Sequence, residues 1–176
     1  MDNYNKFKGV YSSMDWDYET PDEFFFFLDK MFGFTLDVCA NIDNYKVSNY
    51  FTEEDNALSQ SWKTKGRWWM NPPWGREYTK KTGYSIGDWM KKAVQEFMRG
   101  NEGACIVSAR TDTKWWQNWV KDAPYIWFPK GRVAFIKDGG IKTKPNFPSA
   151  CPLFVKKLDY EVAMKLKSKG MLLVNI

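Results

Sequence analysis

The tetrapeptide Asn71-Pro72-Pro73-Trp74 contains the groups needed to activate an amine attached to an aromatic ring. The nitrogen of such an amine is a poor nucleophile because its lone pair is delocalised into the ring. The Asn71 side-chain carbonyl and the Pro72 backbone carbonyl, whose direction the rigid Pro72-Pro73 unit restricts, can accept the two amine hydrogens and draw the nitrogen toward tetrahedral geometry. Trp74 offers a flat face on which the ring can stack. We therefore predict that these four residues are catalytic and that the sulfonium of a methyl donor provides the leaving group.

A simpler interpretation of the same residues is a turn that ends a strand, because Asn and Pro are both frequent in turns. Gly66-Arg67-Trp68-Trp69-Met70 precedes the tetrapeptide and is typical of a strand, which two prolines cannot continue. The tetrapeptide alone leaves both interpretations open.

The composition excludes several other kinds of active site. The 176 residues include no histidine, so Ser-His-Asp and Cys-His catalysis, a histidine general base and histidine-ligated zinc are impossible. The chain contains 10 Trp, 9 Tyr and 13 Phe residues, which supply more flat rings than a core of this size needs. The amine chemistry predicted for residues 71–74 requires no imidazole.

Charge and cysteine content limit the partners of the protein. Lys and Arg number 26 and Asp and Glu 21, so the formal net charge is +5, which permits a polyanionic partner without requiring one. Cys39, Cys105 and Cys151 are widely spaced in apolar surroundings, so we expect reduced packing residues, with neither a disulfide nor a metal site. No signal peptide and no apolar run of about 18 residues is visible. We therefore expect no membrane partner and a cytoplasmic location, in the host cytoplasm if a phage encodes the protein.

Helices and short apolar strands that alternate along the chain must position the tetrapeptide. Thr20 is a favourable N-cap and Pro21 suits the first helical position, so a first helix is predicted from there to Gly33. The other predicted elements are strands at 34–40, 66–70, 104–109, 125–128, 132–136 and, as the last, 150–155, helices at 86–99 and 112–120, a loop at 76–87 and a hairpin loop at 137–146. This alternation predicts an α/β sandwich with a mainly parallel sheet. We expect an N-terminal arm at residues 1–18 and a single domain at 19–176.

A series of motifs follows in a fixed order along the chain. They are Thr20-Pro21, Leu36-Asp37-Val38-Cys39-Ala40, residues 50–58, Trp62, residues 71–75, Ala109-Arg110-Thr111-Asp112-Thr113, Gly131-Arg132 and Phe147-Pro148-Ser149-Ala150. Over about residues 18–156 the chain resembles the small phage-type N6-adenine DNA methyltransferases, the phage Dam family. The resemblance implies a Rossmann-like methyltransferase sandwich, S-adenosylmethionine as the methyl donor and the N6 amine of adenine in DNA as the acceptor.

The resemblance also implies which residues bind the donor. The segment Thr20-Pro21 would contact the amino-acid end of the donor. Asp37 would be the acid of a donor-binding loop that also contains Cys39. Asp55, with Asn56, would hydrogen-bond the adenine ring of the donor. The predicted cofactor-binding residues are thus Thr20, Pro21, Asp37, Cys39, Asp55 and Asn56.

Simpler roles for these donor-binding residues remain open. Thr20-Pro21 also fits a plain helix start, and Asp37 also fits a loop acid that caps a turn. Residues 37–41 contain no glycine, whereas the wider methyltransferase pattern has Gly-x-Gly in this loop. The residue that holds the donor ribose is therefore open, with Glu53 and Glu54 as candidates.

Basic and aromatic residues outside the tetrapeptide are candidates for contact with DNA. Lys and Arg side chains can bind phosphates without selecting a sequence, although a solvated surface explains each one equally well. Phe135 and Phe147 are candidates for stacking on the opposite face of the target base. The predicted DNA-binding residues are Arg76, Lys80, Lys81, Arg110, Arg132, Phe135 and Phe147.

We therefore predict an adenine-specific DNA methyltransferase that takes its target base from a single strand or flips it out of a duplex. The alternatives are methylation of an RNA adenine or of a glutamine amide in protein, and a nucleic-acid-binding module that has lost catalysis. The sequence leaves open the DNA recognition sequence, the oligomeric state and whether methylation protects DNA from restriction.

Overall fold

A computed structural model of the protein describes residues 18–73, 75–137 and 140–175, without the side chains of Arg76 and Ile141. Trp74 and most of the predicted N-terminal arm therefore lie outside the described residues. The helices are α1 Asp22–Phe32, α2 Arg76–Thr82, α3 Ile86–Met98 and α4 Tyr160–Lys169, with a short π-helical segment at Trp116–Val120. The strands are β1 Phe34–Asp37, β2 Arg67–Met70, β3 Gly103–Cys105, β4 Val107–Ser108, β5 Tyr125–Pro129, β6 Phe135–Lys137, β7 Ile141–Thr143, β8 Ser149–Phe154 and β9 Gly170–Val174.

The main sheet has seven strands in the order β1-β2-β3-β8-β5-β9, with β4 paired to β8. The pairs β1-β2 and β2-β3 are parallel, and the pairs that involve β8 or β9 are antiparallel. Strands β1 to β5 consequently run in one direction, and β8 and β9 run in the other. The α/β fold class is confirmed, and the sheet is mixed because β8 and β9 oppose the parallel strands.

Helices cover both faces of this sheet. Successive side chains of β2 alternate between the faces, so Trp68 contributes to one apolar cluster and Trp69 to the other. The first cluster packs against α3 and the π-helical segment, and the second packs against α1 and α4. Gly103 lies beneath the Trp68 ring, where an added Cβ would collide with the ring. The fully buried aromatic residues fix β2, and with it the point at which the tetrapeptide begins.

The start of α1 differs by one residue from the prediction. Pro21 is the N-cap, in an extended conformation, and its carbonyl accepts the N–H groups of Phe24 and Phe25. Thr20 is therefore not the cap, and its side chain is buried at 2% exposure. The predicted end at Gly33 is confirmed, because that residue takes the left-handed conformation with φ 62°.

The segment predicted as a loop at 76–87 contains α2. Gly75 and Gly83 bound this helix with positive φ, Lys80 pairs with Glu77 one turn earlier, and Tyr78 is buried against the core. A single buried anchor in a seven-residue helix leaves too weak an apolar pattern for sequence-based recognition.

The chain also continues beyond the strand predicted as the last. α4 and β9 follow β8, and β9 pairs antiparallel with β5 at the edge of the sheet. In α4 the fully buried apolar residue is Leu166, and β9 exposes Met171 and Leu173. This sparse burial explains why the sequence pattern does not identify these elements.

The other predicted elements are present with shifted bounds. The strand predicted at 104–109 is divided into β3 and β4, and that predicted at 132–136 begins only at Phe135. The segment predicted as a hairpin loop at 137–146 contains β7, which pairs antiparallel with β6, so the prediction of a loop over this whole range is wrong. Within the described part of the chain, no helix is long and apolar enough to cross a membrane.

Candidate active site

A cavity of about 460 Å³ opens at the carboxyl ends of β1 and β2. This is the edge of an α/β sheet at which ligands commonly bind. Its walls come from residues 18–20, from the loop after β1, from residues 51–57, from the start of the tetrapeptide, and from Tyr78, Thr82, Tyr84 and Trp89. A site of this volume holds a small molecule, since such sites range from about 300 to 1,000 Å³.

Asn71 follows β2 directly and presents one polar atom without a partner. Its Nδ2 donates to the backbone carbonyl oxygen of Tyr18 at 2.5 Å. Its Oδ1 is buried and has no hydrogen-bond partner among the described residues. A buried acceptor without a partner costs about 1–3 kcal/mol, so this oxygen is poised to accept an N–H group from a ligand.

The two prolines of the tetrapeptide have different surroundings. Pro73 lines the cavity, whereas Pro72 is buried and does not line it. Of the four predicted catalytic residues, the structure thus places Asn71 and Pro73 at the cavity and Pro72 between them.

Asp37 ends β1 and lies at the cavity with 2% of its surface exposed. Burial raises the pKa of its carboxyl group to about 6, although hydrogen bonds from the N–H groups of Cys39 and Lys46 act in the opposite direction. Those bonds are 3.2 and 3.1 Å long, and each uses one carboxylate oxygen. Asp37 therefore caps the turn after β1, as its simpler interpretation predicts, and also presents a charge to the cavity.

Lys46 lies at the same cavity, although its pattern in the sequence carries no signal for a site. Its Nζ donates to Glu19 Oε1 and to Asp22 Oδ1, both at 2.7 Å, and its side chain is 6% exposed. Burial alone would lower the pKa of this ammonium, but the hydrogen bonds to Asp22 and Glu19 raise it above its ordinary value. The loop after β1 is thereby joined to the start of α1.

The structure places some of the remaining residues predicted to bind the donor at the cavity and others outside it. Thr20, Cys39 and Asn56 line the cavity, and Thr20 Oγ1 is buried without a partner among the described residues. Pro21 and Asp55 do not line it. Both the N–H and the hydroxyl of Thr52 donate to Asp55 Oδ2 at 2.8 Å, which lowers the pKa of that carboxyl group. Asp55 shapes the turn that brings Asn56 to the cavity.

Glu53 is the better placed of the two candidates for ribose binding. It lines the cavity, whereas Glu54 is exposed outside it. Lys81 on α2 contacts both Glu53 carboxylate oxygens, at 2.8 and 3.1 Å. This ion pair joins the cavity wall at residues 51–57 to the helix that follows the tetrapeptide.

The cysteines lie in the core or beside it. Cys105 and Cys151 are buried, Cys39 is half-buried, and all three are free thiols. Burial raises the pKa of each thiol well above its ordinary value. Cys105 and Cys151 pack in the core as predicted, whereas Cys39 lines the cavity.

Phe135 does not have the position expected of a base-stacking residue. It is 2% exposed and makes a T-shaped contact with the Tyr18 ring, with 6.2 Å between ring centroids. A DNA base has no access to its face, so the prediction for Phe135 is wrong. Alternation along β6 turns this side chain into the apolar cluster beneath α1.

The structure distinguishes the predicted basic residues by their partners. Lys80 pairs with Glu77 at 2.8 Å, and Arg132 donates to the Pro145 carbonyl at 2.8 Å. The Arg110 guanidinium lies 3.8 Å from the centroid of the Phe147 ring, and its buried Nε has no partner among the described residues. Arg110 follows β4, so it lies at the same sheet edge as the cavity. Residue 76 has no described side chain.

The sequence matches the family described as DNA N-6-adenine-methyltransferase (Dam) over residues 11–173. The chain belongs to this family. A Dam-family relative, "DNA N-6-adenine-methyltransferase" of Haemophilus phage HP1 (strain HP1c1), is 28% identical over 166 residues, which cover 87% of this chain and 90% of the relative. "Putative methyltransferase YfdM" of Escherichia coli (strain K12) is 40% identical over 63 residues, which cover 32% of this chain and 69% of the relative. The family resemblance seen in the motifs is confirmed, and membership implies methyl transfer to adenine in DNA.

Proposed function

We propose that this Dam-family chain transfers a methyl group from S-adenosylmethionine to the N6 amine of adenine in DNA, with Asn71 as the residue that receives the amine. The observation that carries this proposal is the buried Oδ1 of Asn71, which has no partner in the described part of the chain, at a cavity that Asp37 also lines. The finer fold assignment, a Rossmann-like methyltransferase sandwich in a single domain at 19–176, is supported by helices on both faces of a sheet whose first five strands share one direction.

The cavity suits the donor in volume and in charge. Its ionisable lining includes the acids Glu19, Asp37 and Glu53 but a single lysine among the described residues, Lys46. The excess of acid favours a ligand with a positive charge. The buried Oγ1 of Thr20 has no partner among residues 18–73, 75–137 and 140–175, and the polar amino-acid end of the donor is proposed to provide one. Thr20, Asp37 and Asn56 are thus proposed to bind the donor, with Glu53 as the ribose ligand.

S-adenosylmethionine, when bound, supplies a methyl group on a cationic sulfur that leaves as a neutral thioether once the methyl carbon is bonded to the amine nitrogen. Asn71 Oδ1 accepts one hydrogen of the amine, and the Pro72 carbonyl is proposed to accept the second. These two contacts localise the lone pair on nitrogen and hold it toward the donor. A proton from the nitrogen then passes to solvent, so no histidine is required.

The target base has to leave a duplex to reach this site. Asn71 Oδ1 is buried at the cavity, whereas the N6 amine of a paired adenine is hydrogen-bonded to thymine and its base is held in the stack, so it cannot enter the cavity. We therefore propose that the base is flipped or is taken from a single strand, and that Trp74 stacks on it. Arg110 at the same sheet edge is proposed to contact the DNA backbone, together with Arg132.

A comparison of acceptors tests this function. Purified protein is incubated with S-adenosylmethionine labelled in its methyl group and with duplex DNA, single-stranded DNA, RNA or total protein in parallel. The proposal predicts label in DNA and none in RNA or protein. Label in RNA or in a glutamine amide would replace the proposed acceptor. Absence of donor binding in isothermal titration would instead indicate a nucleic-acid-binding module without catalysis.

A further inference from the structure

The segment before α1 contacts the residue proposed to receive the amine. Tyr18 O accepts the hydrogen bond from Asn71 Nδ2 at 2.5 Å, across 53 positions of the chain. A carbonyl oxygen can only accept, so this contact requires the NH₂ group of the amide on the Tyr18 side. The same contact consequently turns Oδ1 away from Tyr18 and leaves it as the free acceptor.

Two sets of contacts hold Tyr18 in place. Glu19 exchanges both backbone hydrogen bonds with Ile136 on β6, each 2.9 Å long. Lys46 binds the Glu19 carboxylate on one side and Asp22 on the other, both at 2.7 Å. The backbone at Tyr18 is therefore fixed from β6, from α1 and from the loop after β1.

Lys46 also connects this segment to the donor side of the cavity. Its backbone N–H donates to Asp37 Oδ2 at 3.1 Å, while its ammonium reaches Glu19. The Lys46 side chain is 6% exposed, and its partners are 30% exposed at Glu19 and 67% at Asp22, so the pair with Glu19 is the better shielded of the two. Such a pair resists displacement more than an exposed pair does, because removal of one partner leaves the other charge unpaired.

We propose that residues 18–20 form a positioning segment for Asn71: the Tyr18 carbonyl orients the amide so that Oδ1 accepts the amine, and Lys46 holds that carbonyl in place through Glu19 and Asp22. This inference rests on the proposed function. It adds that the amide is set before the base arrives and that a lysine outside the tetrapeptide controls its orientation. Lys46 is thus a positioning residue, and the group that touches the substrate is Asn71.

The first test uses Asn71→Asp, which keeps an acceptor oxygen and removes the donor to Tyr18. At pH 8 the ionised carboxylate faces the Tyr18 carbonyl with a second acceptor, so the orientation is lost. Burial at this position and the facing Tyr18 carbonyl raise the pKa of the substituted carboxyl group, so at lower pH it is protonated and its O–H can donate to Tyr18 again. At pH 8 the kcat of the variant should be at least about tenfold lower than that of the wild type. The ratio of the two kcat values should rise as the pH falls to 5.5. A ratio near one at pH 8, or one that stays constant with pH, would overturn the proposal.

The second test uses Lys46→Met with Lys46→Arg as the conservative variant. Lys46→Met should lower kcat at least about tenfold at saturating donor and DNA, and Lys46→Arg should restore most of it because guanidinium keeps both carboxylate contacts. Lys92→Met is the matched control: Lys92 is also buried and pairs with Glu96 at 2.8 Å, and it does not line the cavity. Its loss should destabilise the fold and leave kcat unchanged.

The outcomes separate this proposal from the proposed function. If the wild-type protein transfers no methyl group to DNA, the proposed function fails. If the wild type is active and Lys46→Met changes only the KM for the donor, Lys46 is a donor ligand and the positioning role is wrong. Equal losses of kcat in Lys46→Met and Lys92→Met would also overturn it, because a general loss of stability would then explain both.

Discussion

The carboxylate of Asp37 accepts a hydrogen bond from the backbone N–H of Lys46 at 3.1 Å. Nine residues of loop therefore close back on the acid at which β1 ends. This closure places a buried carboxylate and a buried ammonium at one cavity, although the sequence separates them by a polar stretch. Asp37 is consequently part of the site and, through this hydrogen bond, holds the loop closed.

Donor binding should depend on the ionisation of Asp37. Burial raises the pKa of this carboxyl group to about 6, so it is ionised at pH 8 and mostly protonated at pH 5. If the ionised form attracts the cationic donor, the dissociation constant for S-adenosylmethionine should be about tenfold higher at pH 5 than at pH 8. Isothermal titration across this range measures the change, and Asp37→Asn should remove it. A dissociation constant that is independent of pH in the wild type would contradict this role.

In the unliganded protein, ionisation of Asp37 should lower the free energy of unfolding. A carboxyl group whose pKa is higher in the folded state than in the unfolded state stabilises the fold when the pH is below its unfolded-state pKa. That contribution is lost as the pH rises through its folded-state pKa. For Asp37 these values are 3.8 and about 6. From pH 3.5 to pH 8, Asp37→Asn should therefore gain up to about 3 kcal/mol of unfolding free energy relative to the wild type. Urea unfolding at the two pH values tests this, and a constant difference would contradict it.

The buried ion pair between Lys92 and Glu96 on α3 should contribute strongly to the stability of the apolar cluster that contains Trp62. Glu96 is 0% exposed and binds Lys92 and Arg99 at 2.8 Å. Glu96→Ala leaves the Lys92 ammonium buried without its partner, which should cost about 3–5 kcal/mol of unfolding free energy. Glu77→Ala breaks an exposed pair with Lys80 and should cost less than about 1 kcal/mol. Similar losses for the two variants, measured by urea unfolding, would show that burial of Glu96 is unimportant.

Arg110 should contribute to DNA affinity through a phosphate contact. Its guanidinium is held against the Phe147 ring and its Nε lacks a partner among the described residues. Arg110→Ala should weaken DNA binding and reduce the slope of log affinity against log salt concentration by about one. Lys165→Ala, an exposed site on α4, should change neither quantity. Fluorescence anisotropy at several salt concentrations measures both, and an unchanged slope for Arg110→Ala would exclude the contact.

The parts of the site that follow from strong local patterns could be predicted from the sequence. The aromatic run before Asn71 forms β2, and the prolines end it, as the pattern predicts. Asp37 and Asn71 reach one cavity because Asp37 ends β1 and Asn71 directly follows β2, the parallel neighbour of β1 in the sheet. Family membership then supports the chemistry that was predicted from the amide and the two prolines.

Other parts depend on contacts that have no signature in residue type. Tyr18 acts through its backbone carbonyl, which every residue carries, and Lys46 is one lysine in a polar stretch. Phe135 was expected at the base because aromatic side chains stack, whereas the pairing of β6 with Glu19 turns it into the core. Long-range contacts of this kind are set by the packing of the whole sheet, so composition and spacing do not reveal them.

The central proposal is tested most directly by identifying the methylated atom. Unmethylated DNA is incubated with the protein and isotopically labelled S-adenosylmethionine, digested to nucleosides and analysed by mass spectrometry. We expect labelled N6-methyldeoxyadenosine with the wild type and at least about a hundredfold less with Asn71→Ala, while donor binding to that variant is retained. Label on cytosine, absence of label from adenine, or full activity of Asn71→Ala would contradict the assignment of Asn71 as the residue that receives the adenine amine.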